Sequence, residues 1–122
     1  MPIIDIEAVC AEPTEFGPET IRKIADAVGE AFQLAPGKVW VRLHTLPKSA
    51  YAESGTDVGQ TPDPVFVRVL RSRVPTGEDL EREIIAATRI VASCLGRREQ
   101  NVHVEYAPPG LGRMAFGGKL SR

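Results

Sequence analysis

Pro2-Ile3-Ile4-Asp5-Ile6-Glu7-Ala8 and, further along the chain, Pro64-Val65-Phe66-Val67-Arg68-Val69-Leu70 carry the same pattern. Each stretch opens on proline and then alternates with a period of two, the mark of a strand with one buried face. Ile4, Ile6 and Ala8 share a face in the first; Val65, Val67 and Val69 alternate against Phe66, Arg68 and Leu70 in the second. A helix and a second strand come next in both halves. Gly17-Pro18 opens a helix whose apolar face is Ile21, Ile24, Ala25, Val28 and Phe32, and proline suits the first helical position. Thr76 and Asp79 resemble a capping box ahead of a second helix, with Leu80, Ile84, Ala87 and Val91 as its apolar stripe and Gly96 as its stop. A strand closes each half: Val39, Val41 and Leu43 alternate with Trp40, Arg42 and His44 in one, and Val102, Val104 and Tyr106 mark the other. Tyr51-Ala52-Glu53-Ser54-Gly55 then falls where Met114-Ala115-Phe116-Gly117-Gly118 falls.

A repeat at close to half the chain length predicts one domain, residues 1–122, built of pseudo-repeats 1–61 and 62–122. Two β-α-β units joined by the Gly55–Pro64 loop are expected to merge into one four-stranded sheet with both helices on a single face, an α+β fold. The other face would carry Trp40, Phe66 and Leu70, too apolar to leave in water, so bare faces are expected to meet in a closed homo-oligomer.

Composition narrows the function classes. With 15 basic and 16 acidic residues the net charge is −1, which leaves no electrostatic footprint for nucleic acid. The amino terminus has neither a basic region nor an apolar run long enough for a signal peptide or a membrane span. Cys10 and Cys94 lack C-x-x-C spacing and fall in apolar surroundings, as buried free thiols in a reducing cytoplasm do. A soluble cytoplasmic protein without membrane or nucleic-acid partners is expected.

Met1-Pro2-Ile3-Ile4, Val39-Trp40-Val41-Arg42, Val102-His103-Val104-Glu105-Tyr106 and Gly112-Arg113-Met114-Ala115-Phe116-Gly117-Gly118-Lys119-Leu120 together resemble the tautomerase superfamily. The resemblance covers nearly the whole chain and is to the fused members, in which two copies of the short 4-oxalocrotonate tautomerase unit are joined, as in macrophage migration inhibitory factor and cis-3-chloroacrylic acid dehalogenase. It implies a trimer of β-α-β-β-α-β subunits, with active sites near subunit boundaries and no cofactor.

It also implies a chemistry. Moving a proton next to a carbonyl needs a base that is uncharged at working pH, and the secondary amine of an N-terminal proline serves in an apolar, cationic pocket that depresses its pKa. Pro2 is that candidate, provided that Met1 is removed; retained, it makes Pro2 an amide. Pro64 is internal and cannot be a base. Arg71 and Arg73 stand where family members bind a substrate carboxylate, although the spacing of two differs from the spacing of three in dehalogenase-like members. Trp40 and His103 occupy the equivalent position of the two second strands, which lines the pocket in related proteins, and Phe116 would be a hydrophobic wall. His103, as a single histidine, supports no metal site. The expected activity is therefore keto-enol tautomerisation of a small unsaturated or 2-keto carboxylic acid. Tyr51-Ala52-Glu53-Ser54-Gly55 offers an alternative, because it resembles the stretch that holds a water-activating glutamate in hydratase and dehalogenase members; Glu53 would be that base, displaced to the other half of the chain. A third expectation is a non-catalytic binding or signalling module on the same scaffold.

Overall fold

The computed structural model describes residues 2–57 and 59–122. Strand β1 (Ile3–Cys10), helix α1 (Pro18–Ala31) and strand β2 (Trp40–Pro47) form the first unit; β3 (Val65–Leu70), α2 (Gly77–Leu95) and β4 (Val102–Tyr106) form the second. Each unit pairs its two strands in parallel, and the units join through antiparallel pairing of β1 with β3, giving the order β2-β1-β3-β4. Ile4, Ile6 and Ala8 of β1 and Val65, Val67 and Val69 of β3 are buried together with Ile24 and Val28 of α1 and Val91, Ala92 and Leu95 of α2. Both helices therefore cover the same sheet face, as the repeat predicts. Each fully buried branched side chain contributes about 1.5–3 kcal/mol relative to its exposed state.

The helix ends agree with the sequence in position and differ in one detail. Gly96 ends α2 in the left-handed region (φ 66°), where its N–H reaches the carbonyls of Ala92 and Ser93. Thr76 is the N-cap of α2, but no side-chain bond caps it. The Asp79 carboxylate instead accepts from Arg82 one turn on, so the capping box is not formed. A hairpin of β5 (Ala115–Phe116) and β6 (Lys119–Leu120) extends the chain beyond the expected strands. Its two-residue turn, Gly117-Gly118, holds φ of 58° and 86°, the primed geometry that follows the strand twist and that glycine alone adopts at no cost.

The helix-free face is less apolar than its alternation suggested. Trp40, Ile3 and Leu70 form one row across the sheet and His44, Glu7, Phe66 and His103 another. Between them runs a row of alternating charge, Arg42–Asp5–Arg68–Glu105, because each strand places its charged residue at the same register. Arg42 grips Asp5 with both prongs, at 2.5 and 2.7 Å, and those bonds hold the Asp5 carboxyl below the ordinary carboxylate value. Cys10 is a buried free thiol, as expected, and burial pushes its ionisation up; Cys94 is half-buried and also unpaired.

Candidate functional site

The pseudo-twofold arrangement sorts the candidate residues into two ends of the sheet. Parallel pairing within a unit puts the start of β2 beside the start of β1, so Trp40 lies opposite Ile3 and its N–H donates to the Pro2 carbonyl at 3.1 Å. Antiparallel pairing of β1 with β3 brings the end of β3 to the same place: Leu70 lies opposite Ile3, and Arg71 to Arg73 come directly after it. β4 runs in the same direction as β3, so the chain after it, including Phe116, also arrives at the Pro2 end. Phe116 meets Trp40 edge-on, with ring centroids 5.2 Å apart and planes at 81°.

The same rules send the other candidates away. His103, at the start of β4, sits beside Phe66 near Pro64, with ring centroids 5.6 Å apart. Tyr51 comes after the end of β2, which runs away from Pro2; its ring approaches Phe66 at 6.0 Å and its hydroxyl donates to Glu53 at 2.6 Å. That bond to Glu53 raises the pKa of Tyr51. The Phe66 row lies four residues from the Leu70 row, about 13 Å at strand rise. Within one chain Glu53 and His103 therefore share an end with Pro64, whose nitrogen is an amide, and not with Pro2. Arg97 also fills that end, donating to the carbonyls of Val9 (2.9 Å) and Asp63 (2.7 Å).

Pro2 itself is fully buried at the head of β1. Met1, whose removal the expected role of Pro2 requires, lies outside the described residues. Of the two arginines, Arg73 is exposed, whereas Arg71 points to the helix side and is engaged. Its guanidinium pairs with Glu83 of α2 at 2.5 Å and lies 5.2 Å from the centre of the Phe32 ring. The Tyr106 hydroxyl is buried beside this pair, without a hydrogen-bond partner among the described residues, and its pKa is driven well above the usual tyrosine value by burial and then by the Glu83 charge.

Among the described residues, clefts open on both sheet faces at the Pro2 end. One, of about 390 Å³, lies on the helix side against Phe32, Gln33, Arg71, Arg82, Asp79 and Glu83. The other, of about 300 Å³, lies on the helix-free face, walled by Ile3, Leu70, Ala107, Pro108 and Met114 with Asp5, Arg42, Arg68 and Arg113 among its polar groups. Among the described residues, no group of three or more His, Cys, Asp or Glu is placed to hold a metal, and no helix is long and apolar enough to cross a membrane.

No protein-family model matches this sequence, and no curated protein matches it significantly. Solved structures match it over nearly its whole length. A protein crystallised after inactivation by 2-oxo-3-pentynoate superposes with a TM-score of 0.76 at 22% identity, covering 98% of this chain and 94% of that one. A fused 4-OT solved as a symmetric trimer gives 0.76 at 17% identity, with the same coverage. The macrophage migration inhibitory factor of Trichinella spiralis gives 0.71 at 12% identity, covering 96% of this chain and 97% of that one. This is the tautomerase-superfamily fold. The tautomerase fold explains why a proline start and a glycine-rich ending, remote in sequence, meet at one end of one sheet.

Several residues at that end escaped the sequence reading. Arg42 and Arg68 are visible there only as the polar half of two alternating strands, and Arg113 only as part of the glycine-rich ending. Glu83 carries no local signal at all, because its meaning comes from Arg71 across the helix–sheet interface. The β5–β6 hairpin could have been found, since Gly-Gly between short apolar segments is a primed-turn signature.

Proposed function

We propose that the chain, once freed of Met1, is a cofactor-independent tautomerase that moves a proton next to the carbonyl of a small unsaturated or 2-keto carboxylic acid, with the Pro2 amine as base and then acid. The observation that carries this reading is the buried position of Pro2, whose carbonyl accepts from the Trp40 N–H, at the end of the sheet where the Trp40–Phe116 pair and several arginines also gather. Burial destabilises a protonated amine and nearby guanidinium groups add like-charge repulsion, so both lower the amine pKa toward neutrality. The aromatic pair supplies an apolar wall for a conjugated substrate. One structural neighbour was inactivated by 2-oxo-3-pentynoate, an acetylenic 2-keto acid, and such a compound is an acceptor for a neutral amine of the kind proposed here. A trimer is part of the proposal: Trp40 is 43% exposed and Phe66 37% exposed on the helix-free face, and the fused 4-OT neighbours include symmetric trimers.

Hydration or dehalogenation through Glu53 has less support, because Glu53 stands at the Pro64 end of its own chain. The test is enol–keto exchange of phenylpyruvate by the processed protein, with processing checked by intact mass. Pro2→Ala is expected to lower turnover by about one to three powers of ten, within the range of positioned proton transfer. A form that retains Met1 is expected to be inactive. Equal rates for folded processed and unprocessed protein would remove the amine from the mechanism.

A further inference from the structure

We propose that Glu83, reaching in from α2, sets the proton affinity of the Pro2 amine by holding and neutralising Arg71. The inference rests on the reading that Pro2 is a free amine and the base, and it names a positioning residue behind it. The β1–β3 register brings Pro2 and Arg71 together. Facing residues of that antiparallel pair run from Ala8 and Val65 to Ile3 and Leu70, and one further step along the ladder sets Pro2 opposite Arg71. Both backbones are held in line with their strands at this point. The Trp40 N–H donates to the Pro2 carbonyl at 3.1 Å, and the Gly110 N–H donates to the Arg71 carbonyl at 2.7 Å. Alternation then puts both side chains on the helix-covered face, since Pro2 is in phase with the buried Ile4, Ile6 and Ala8, and Arg71 with Val65, Val67 and Val69. Facing Cβ atoms in such a pair are about 4.5–5.5 Å apart. A charge on Arg71 therefore acts on the amine through packed protein, where salt screens it less than in water.

Glu83 decides how much of that charge the amine meets. Its side chain is 8% exposed and bonds Arg71 at 2.5 Å, while the Phe32 ring lies 5.2 Å from the centre of the guanidinium. A lone guanidinium at this place would destabilise the protonated amine, and a lone carboxylate would stabilise it. Paired, the two nearly cancel, which leaves burial as the main cause of a lowered amine pKa. The other groups around this end do not replace either partner. Asp79 and Arg82, also on α2, pair with each other. From β4 comes the Tyr106 hydroxyl, which stays protonated because burial and the Glu83 charge raise its pKa. The chain after α1 brings the uncharged Phe32 and Gln33 to the cleft, while Glu30 and Lys38 are exposed to solvent. Asp5, Arg42, Arg68 and Arg113 line the cleft on the opposite face of the sheet.

The test reads the nitrogen itself. Processed protein, its mass confirming the loss of Met1, is prepared with ¹⁵N-proline, and the one proline nitrogen that is an amine is titrated by ¹⁵N NMR. Glu83→Gln is expected to lower its pKa by about one pH unit and Arg71→Met to raise it by about as much. The double variant, Arg71→Met with Glu83→Leu, is expected to return it close to the parent value. Tyr106→Phe alters packing at the same place without a change of charge and is expected to leave it unmoved. A merely structural role would admit water in both single variants and shift the amine upward in each, toward its ordinary value. Shifts of one sign in the two single variants, or no shift in either, overturn the proposal. Thermal melts fix the conditions under which each variant is folded. If Glu83→Gln does not fold, Arg71→Met is compared with the double variant: a more basic amine in the single variant supports the proposal, and equal values overturn it. Because no turnover is read, the tautomerase reading fails separately. An amine that responds in opposite directions to the two variants, in a protein without enol–keto exchange, refutes that activity and leaves the role of Glu83 standing. In an active protein the acid limb of kcat/KM is expected to move with the amine.

Discussion

Replacing Glu83 by Gln removes one charge from the pair that ties α2 to the end of β3. Glu83 keeps 8% of its side chain in water and Arg71 20%, with 2.5 Å between nitrogen and oxygen. Contact charges at an effective dielectric near 20 interact by about 4 kcal/mol, and deleting one partner of a buried pair typically costs about 3–5 kcal/mol because the other charge stays behind unpaired. Arg71 retains some solvent and stacks on Phe32, and glutamine still accepts one hydrogen bond, so we expect a loss near the lower bound, about 3 kcal/mol. For a chain of this length that corresponds to a fall in Tm of about 12 °C. Urea and thermal unfolding at pH 7 and fixed protein concentration measure it. The double variant Arg71→Met with Glu83→Leu removes both charges and is expected to recover most of the loss. A Glu83→Gln protein within about 0.5 kcal/mol of the parent, typical of surface changes, would refute the assignment of this pair as buried and coupled.

Tyr106→Phe removes a buried hydroxyl that makes no well-formed hydrogen bond among the described residues and sits beside Glu83, and it is expected to leave stability at pH 7 unchanged or raise it by up to about 1 kcal/mol. The folded-state pKa of Tyr106 is raised above the unfolded value of 10.0, so its contribution is complete below pH 10 and is lost as the pH climbs from there toward the folded value; the variant's urea midpoint is expected to fall less than the parent's above pH 10, and parallel curves would contradict this. Gly110→Ala places a methyl group against Cγ and Sδ of Met114, with the Arg71 carbonyl 3.4 Å away, and is expected to cost about 1–2 kcal/mol by urea unfolding while displacing Met114 from the cleft wall. An unchanged urea midpoint would show that Met114 swings aside freely.

The sequence by itself determined the β-α-β repeat, the strand alternation, the helix starts at Pro18 and Gly77, the glycine stop after α2 and the helix-covered face of the sheet. These arise from local periodicity and turn chemistry, which act over a few residues. It also held a clue to the partition of the site, because parallel pairing within each unit already puts Trp40 with Pro2 and His103 with Pro64. Only the tertiary structure decided the rest. Antiparallel joining of β1 to β3 carries the end of the second unit to the start of the first, bringing Arg71, Arg113 and Phe116 to the Pro2 end of the sheet and leaving Glu53 at the far end. Strand register, a property of two segments together, set the charges of Arg42, Asp5, Arg68 and Glu105 into one row on a face expected to be apolar. Whether an arginine has donors to spare depends on what packs against it: Glu83, reaching in from α2, occupies Arg71, while Arg68 and Arg113 face a cleft with one carboxylate among three guanidinium groups.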